Sequence, residues 1–144
     1  MPHTIKKALG LVTRLAFNPD HWKCLLQALP VERDILAPDE ILERLALAAN
    51  WIADAQDSQT NGGISAGYYL YQGWRSAYPE TTGYITRTFI DYGSLTQRSD
   101  IFDRAHRMCR FLLDVQEPAE GWFPGGDLSS RRAPSVFNSG MVLH

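Results

Sequence analysis

The sequence predicts an all-α fold built from repeated helical hairpins. Three observations support this: apolar residues recur at three- and four-residue spacing, prolines stand where helices should begin, and one block of sequence occurs twice. Between Pro38 and His144 no stretch alternates apolar and polar residues long enough to predict a strand. The remaining segments are polar or glycine-rich and should connect the helices.

The first strongly predicted helix begins at Pro38. Proline suits the first helical position, and Asp39 and Glu40 complement the positive end of the helix dipole. The helix should end near Gln56, before the turn signal at 61–63. Its apolar residues predict one broad buried face: Ile41, Leu42, Leu45, Ala48, Ala49, Ile52 and Ala55.

Three further helices are expected. One begins at Pro79, another is capped by Ser99 or Asp100, and a last one opens at Pro134. The segment 57–78 between the first two helices is long and rich in tyrosine and tryptophan. Loops of this length in a compact domain usually serve a function.

The repeat joins these elements into units. Residues 51–56 read WIADAQ and residues 111–116 read FLLDVQ, an offset of 60 positions (56 to 116). A glycine loop follows each copy, and Thr82-Gly83 of the first unit corresponds to Ser139-Gly140 of the second. Repetition of this kind predicts units that bury their apolar faces only by stacking on neighbours.

The repeat also sets the expected domain limits. We expect an N-terminal helical segment at 1–37 and the first hairpin repeats of a larger assembly at 38–144. The helix at the end of the sequence has no capping signal, which predicts that the natural chain continues or that another chain completes it. Exposed terminal faces would favour self-association of this chain.

Composition argues against several classes of protein. The net charge is −2 with no basic cluster, so nucleic acid is not an expected partner. No apolar run reaches the roughly 20 residues that span a bilayer, and no signal peptide stands out, which predicts a cytoplasmic protein without a transmembrane segment. The four histidines lack metal-ligand spacing, and Cys24 and Cys109 fall in apolar stretches typical of core thiols. We therefore expect no metal site and no cofactor.

The pattern of helix, Asp-x-Gln, glycine loop and second helix resembles that of the α/α toroids, which include terpenoid cyclases, protein prenyltransferases and carbohydrate-active six-hairpin proteins. Three runs, at 62–68 (GGISAGY), 78–85 (YPETTGYI) and 135–140 (SVFNSG), most resemble bacterial toroid proteins associated with surface-polysaccharide assembly. The resemblance covers about residues 50–144. It implies a barrel of hairpins with a ligand cleft at one mouth, where the loops and helix starts lie.

The sequence departs from two members of this superfamily. It contains no Asp-x-Asp-Asp run of the terpene cyclases. The Asp/Cys/His zinc constellation of the prenyltransferases is also missing from the sequence. Both departures weaken an isoprenoid chemistry for this chain.

Glu80 and Tyr84 are the candidate catalytic residues. Glu80 follows Pro79 at a helix start, where a carboxylate could act as acid or base on a sugar or bind its hydroxyls. Tyr84 lies four residues later on the same helix face and could stack on a sugar ring or donate a proton. A structural interpretation is also open, since glutamate is favoured at helix starts and tyrosine packs in cores.

Aromatic and polar residues near the loops are candidates for substrate binding, because sugar rings pack on aromatic faces and their hydroxyls require polar partners. Arg87 could pair with a uronate carboxylate. The same aromatic residues could instead fill the ends of the hairpins, and the repeated Asp54, Gln56, Asp114 and Gln116 are best explained by hydrogen bonds that tie loops to helices. The predicted substrate-binding residues are Tyr68, Trp74, Tyr78, Arg87, Trp122 and Asn138.

These observations favour a carbohydrate-active or carbohydrate-binding toroid of bacterial polysaccharide metabolism, with a saccharide or another small molecule as ligand. Two alternatives remain open: an isoprenoid-handling toroid, and a non-catalytic scaffold that binds a partner protein. Whether the protein is an enzyme is not decided, because one carboxylate without a second is not a catalytic pair.

Overall fold

The computed structural model describes residues 19–20, 22–23, 37–129 and 133–144. The predicted N-terminal segment lies mostly outside this part of the chain, as do Cys24, Arg131 and Arg132. Four helices account for most of the described residues from 37 onward: α1 (Pro38–Asp57), α2 (Pro79–Thr96), α3 (Ser99–Val115) and α4 (Val136–Leu143). We call α1, α2 and the loop between them hairpin 1, and α3, α4 and their loop hairpin 2.

Two of the helix starts follow the sequence signals closely, at α1 and α2. The predicted cap of α3 is wrong, because Ser99 and Asp100 are already helical and the preceding residue, Arg98, makes no side-chain capping bond. At α1 the Glu40 carboxylate accepts a hydrogen bond from the Ala37 N–H at 3.2 Å, which satisfies one N–H ahead of the first turn. Helix α2 begins at Pro79 as predicted. Helix α4 begins two residues later than predicted, at Val136, because the Ser135 hydroxyl caps it by accepting from the Asn138 N–H at 3.2 Å.

The prediction of a purely helical chain is wrong in one detail, since each hairpin loop contains a short antiparallel ribbon. In hairpin 1, β1 (Tyr68–Tyr69) pairs with β2 (Gly73–Trp74); in hairpin 2, β3 (Phe123–Pro124) pairs with β4 (Pro134–Ser135). Strands of two residues are too short to produce an alternating pattern that a sequence could reveal.

Two adjoining clusters form the core. The first joins both hairpins around Phe89 of α2 and Ile101 and Met108 of α3, all of which are almost completely buried. The second surrounds Phe111 and includes Phe123 of the second loop. Helix α2 therefore packs between α3 and α4, and the hairpins share one interior.

The predicted buried faces are only partly correct. On α1, Ala49 and Ala55 are buried, but Ile41, Leu42 and Leu45 are between 42% and 50% exposed. On α2 the buried residues include the large Phe89 and the small Thr82, Gly83 and Thr86, and α4 approaches the helix closely at Gly83. The Cys109 thiol on α3 is exposed, contrary to the prediction of a core thiol. Tyr84 on α2 is also exposed, which contradicts the alternative interpretation of Tyr84 as a core residue.

The repeat is also present in the hydrogen bonds. The Gln56 amide donates to the Gly62 carbonyl at 2.8 Å, and the Gln116 amide donates to the Gly121 carbonyl at 2.9 Å. Both glycines have positive φ angles, 83° and 79°, which a residue without Cβ adopts at low cost.

A second pair of matching bonds ties each loop to its second helix. The Thr82 hydroxyl accepts from the Ile64 N–H at 2.9 Å, and the Ser139 hydroxyl accepts from the Phe123 N–H at 3.0 Å. In both hairpins, therefore, equivalent side chains bond the loop to the first and the second helix.

Asp57 at the end of α1 forms ion pairs with two arginines of hairpin 2. Its carboxylate pairs with Arg104 at 2.7 Å and with Arg107 at 3.4 Å. Hydrogen bonding to the Arg104 guanidinium holds the pKa of Asp57 below its usual range, against the opposing effect of burial. The ionised form is therefore favoured in the folded protein.

Replacing Asp57 by asparagine should lower the free energy of unfolding at neutral pH by about 0.5–1 kcal/mol, since the pair is partly exposed to solvent. A carboxyl whose folded pKa is depressed stabilises the fold above its unfolded pKa and loses that contribution as pH falls through the folded value. Urea titrations between pH 7 and pH 2 should therefore show a smaller acid-induced loss in Asp57→Asn. Asp103→Asn, an exposed position on α3, is the control; an equal effect of both would contradict the assignment.

No helix in the described part of the chain is both long and apolar enough to cross a membrane.

Candidate functional site

The two hairpin loops lie together at one end of the molecule, where α2 and α4 begin. The Leu128 N–H of the second loop donates to the Ala77 carbonyl of the first at 2.9 Å. Arg75 and Asp127 form an ion pair between the same loops at 3.3 Å, with the carboxylate largely buried. These contacts hold the starts of α2 and α4 next to each other.

Tyr78 stands at the junction of the two loops, as the residue that precedes α2. Hydrogen bonding to the Glu80 carboxylate raises the pKa of the Tyr78 phenol, and partial burial acts in the same direction. The Asn138 side chain and the Gly126 backbone also bond to this phenol and act in the opposite direction. Three predicted site residues, Tyr78, Glu80 and Asn138, therefore lie together, and each hairpin contributes.

Asn138 is held rigidly in this junction. It is 3% exposed, its Nδ2 donates to the Pro124 carbonyl at 2.7 Å, and its Oδ1 accepts from the Ser135 hydroxyl at 3.0 Å. A buried carboxamide whose oxygen and nitrogen are both bonded within hairpin 2 ties the second loop to the start of α4 and does not reach into solvent. Asn138 therefore has a structural role beside the Tyr78 phenol.

Glu80 also begins a stripe of accessible side chains along α2. Tyr84, Arg87 and Asp91 follow at spacings of four, three and four residues, which places all four on one helix face. Glu80 is half-buried at the junction, whereas Tyr84 is 37% exposed and the side chains of Arg87 and Asp91 are 66% and 63% exposed. We call this surface the α2 stripe.

The charge on the α2 stripe differs from what the sequence suggested. The Arg87 guanidinium is already paired with a carboxylate of the same helix, because it binds Asp91 at 3.0 Å. The stripe then carries two carboxylates and one guanidinium. Its net negative charge disfavours the uronate carboxylate that Arg87 was expected to bind.

Tyr68 and Trp74 lie apart from this junction, at the tip of the first loop. They pack against each other and against Trp51 of α1, with ring centroids 4.8 to 6.0 Å apart. The cluster borders a cavity of about 500 Å³, which is also lined by Asn50 and Asp54. Tilted and edge-on contacts of this kind anchor the loop on α1, which agrees with the interpretation that the aromatic residues fill a hairpin end.

Trp122 occupies a third place. Its indole N–H donates to the Glu120 carboxylate at 3.0 Å, and it borders a separate cavity of about 450 Å³ beside Ser135 and Gly140. The structure thus divides the predicted site residues among four places: the loop junction with Tyr78 and Asn138, the α2 stripe, the aromatic cluster and the outer surface of hairpin 2.

Three residues that lie at the aromatic cluster or the loop junction were not predicted from the sequence to have a role there. Trp51 was assigned only to the repeat, although its correspondence to the buried Phe111 could have indicated a packing role. Gly126 and Asp127 belong to a loop whose path no sequence pattern reveals. The structural interpretation of Gln56 and Gln116 is confirmed by their bonds to loop carbonyls, but Asp54 and Asp114 are exposed and Asp54 borders the larger cavity.

At the junction, the Glu80 carboxylate lies near the Tyr78 phenol, and the exposed Tyr84 ring follows one helical turn later. This arrangement can accept and donate hydrogen bonds to hydroxyl groups while a ring face packs on C–H groups. Within the described residues, no three histidine, cysteine, aspartate or glutamate side chains are grouped so that they could hold a metal ion. Comparison of the chain with protein-family models, with curated proteins and with solved structures gives no match.

Proposed function

We propose that the protein is part of an α/α toroid that binds a saccharide along the α2 stripe, in bacterial polysaccharide metabolism. The observation that carries this proposal is the alignment of Glu80 and Tyr84 on one accessible helix face, beginning at the junction where the Tyr78 phenol meets the Glu80 carboxylate. The fold is consistent with it, because both loops gather at the end where these residues lie.

The chemistry of the stripe suits a sugar. Carboxylate and phenol groups recognise hydroxyls in defined directions, and the Tyr84 ring, one helical turn from Glu80, offers an apolar face. A turn of helix rises about 5.4 Å, which is close to the length of one pyranose ring. One residue of an oligosaccharide could therefore contact both side chains.

Charge narrows the ligand class. Since Arg87 is neutralised by Asp91 and Glu80 adds a further negative charge, the stripe favours a neutral saccharide over a uronate. The same argument disfavours a prenyl diphosphate on this surface. An isoprenoid would instead suit the apolar groove of about 350 Å³ between α1 and α2, lined by Ile52, Phe89 and Leu95 among others.

A thermal-shift screen with neutral oligosaccharides of glucose, galactose, mannose and N-acetylglucosamine tests the proposal. A ligand present at ten times its Kd adds about 1.4 kcal/mol, which should raise Tm by about 4 °C in a chain of this size. Glu80→Gln and Tyr84→Ala should each abolish most of that shift while leaving Tm of the free protein within about 1–2 °C of wild type, because neither side chain is fully buried.

Two controls locate the ligand. Arg110→Gln, an exposed position on α3, should leave the shift unchanged. Trp74→Ala removes a ring from the aromatic cluster; if it alone abolishes the shift, the saccharide lies in the 500 Å³ cavity and the α2 stripe is wrong. A rise in Tm with geranylgeranyl diphosphate but with no sugar would support the isoprenoid alternative. If no ligand raises Tm, the result favours the non-catalytic scaffold.

A further inference from the structure

Hairpin 2 packs against hairpin 1 through two contacts that can be compared with the rest of the repeat. The Arg104 guanidinium binds the Asp57 carboxylate at 2.7 Å and the Gln56 Oε1 at 3.2 Å. In a second contact between the hairpins, the backbone of α4 at Val142 lies so close to Gly83 that a Cβ there would come within 2.8 Å of the Val142 Cα. We call the surface of hairpin 1 that receives these contacts its trailing face.

The trailing face of hairpin 2 has the same components. The repeat places Gln116 where hairpin 1 has Gln56, Glu117 where it has Asp57, and Gly140 where it has Gly83. Among the described residues, nothing lies within 4 Å of a Cβ placed on Gly140, and Leu143 is 84% exposed. In this part of the chain, a surface with the same components is therefore exposed, and it borders the cavity beside Trp122.

Glu117 retains the capacity to bind an arginine. Its Oε2 accepts from the Ala119 and Glu120 N–H groups, each at 2.7 Å. Those bonds fix the carboxylate in place at the end of α3, and a carboxylate has further acceptor positions on its other oxygen.

Helix α1 presents a surface that matches the contact face of α3. Ile101, Arg104 and Ala105 are among the residues of α3 that contact hairpin 1, and the two apolar ones are 1% and 3% exposed. Sixty positions earlier, at 41, 44 and 45, α1 carries Ile41, Arg44 and Leu45, and all three are exposed. We call this surface the leading face of hairpin 1.

We propose that a second copy of this chain docks head to tail, its leading face on the trailing face of hairpin 2. Arg44 of the second copy would bind Glu117 and Gln116 as Arg104 binds Asp57 and Gln56. Ile41 and Leu45 would be buried beside it, and a helix backbone would approach Gly140. The contact joins two different surfaces, so it propagates to a third copy unless a ring closes. This inference does not depend on the proposed saccharide ligand.

Sedimentation velocity on the full chain over a range of concentrations tests the proposal. Wild type should form species that grow beyond the dimer as concentration rises. Arg44→Glu and Gly140→Leu should each weaken association about tenfold or more, the first through charge repulsion at Glu117 and the second through steric obstruction. Mixing the two variants should give a dimer that grows no further, since each variant keeps one intact face.

The matched controls separate docking from folding. Arg110→Glu changes an exposed arginine of α3 outside both faces and should associate like wild type. Circular dichroism should show equal helix content in all variants. Combining Arg44→Glu with Glu117→Arg in one chain should restore association to within about threefold of wild type. A wild-type chain that stays monomeric throughout, or variants that associate as wild type does, would overturn the proposal.

Discussion

Replacing Gln56 by leucine is expected to lower the free energy of unfolding by about 3 kcal/mol, although leucine has a similar volume. The Gln56 side chain is completely buried and donates to the Gly62 carbonyl at 2.8 Å and to the Arg104 carbonyl at 3.0 Å. Leucine would leave the Gly62 carbonyl without its donor, and the Arg104 carbonyl would keep only its bond within α3. Each buried acceptor that loses its partner costs about 1–3 kcal/mol.

The acceptor side of Gln56 adds to this loss. Its Oε1 accepts from the guanidinium groups of Arg104 and Arg107, both at 3.2 Å. These arginines also reach Asp57 and remain partly solvated, so their loss should be smaller. The carbonyl groups therefore dominate the expected effect.

Gln116→Leu is the matched control for Gln56→Leu. Gln116 occupies the same place in hairpin 2, but it is only half-buried and its amide bonds to the single carbonyl of Gly121. Its replacement should cost about 1 kcal/mol. Urea denaturation of both variants measures the difference, and equal losses would show that the contact between hairpins adds nothing to the role of Gln56.

Replacing Gly83 by alanine is expected to lower the free energy of unfolding by about 1–3 kcal/mol, although alanine is the better helix former. The new Cβ would lie 2.8 Å from the Val142 Cα and 2.9 Å from the Met141 carbonyl oxygen. Both atoms belong to the backbone of α4, which cannot yield as the end of a flexible side chain can. Helices α2 and α4 would have to separate.

Gly140→Ala should change stability in the opposite direction. Gly140 holds the same repeat position in α4, but nothing lies within 4 Å of its added Cβ. The substitution should therefore stabilise a monomer by about 0.5–1 kcal/mol through helix propensity alone. Thermal denaturation at low protein concentration compares the two variants, and a loss of stability at both positions would contradict the packing described for α2 and α4.

Much of the fold could be predicted from local chemistry. Pro38 and Pro79 mark helix starts because their missing N–H has no role there, and the paired Asp-x-Gln segments reveal the repeat. The exposed Ile41 and Leu45 were predicted to be buried because a helical spacing shows that a face is apolar without showing what covers it. The ribbons within the loops were missed because two-residue strands leave no periodic trace.

The candidate site was predicted less completely. Spacing alone places Glu80, Tyr84 and Arg87 on one helix face, and the structure has them there. That Asn138 reaches the Tyr78 phenol depends on how hairpin 2 sits on hairpin 1, which is a long-range property. The pairing of Arg87 with Asp91 was open to sequence reasoning, since a four-residue spacing of opposite charges is a known helical pair.

The two ends of the molecule differ in how much sequence change they can absorb. Between α2 and α3 only Gln97 and Arg98 make the connection, and Gln97 has a left-handed φ of 55°. An insertion there would rotate one hairpin against the other. At the opposite end the connections are about twenty residues long, and matching bonds from Gln56, Gln116, Thr82 and Ser139 tie both of them to the helices. Loop residues that make no such anchoring contact could diverge, so related chains could acquire different ligands while keeping one scaffold.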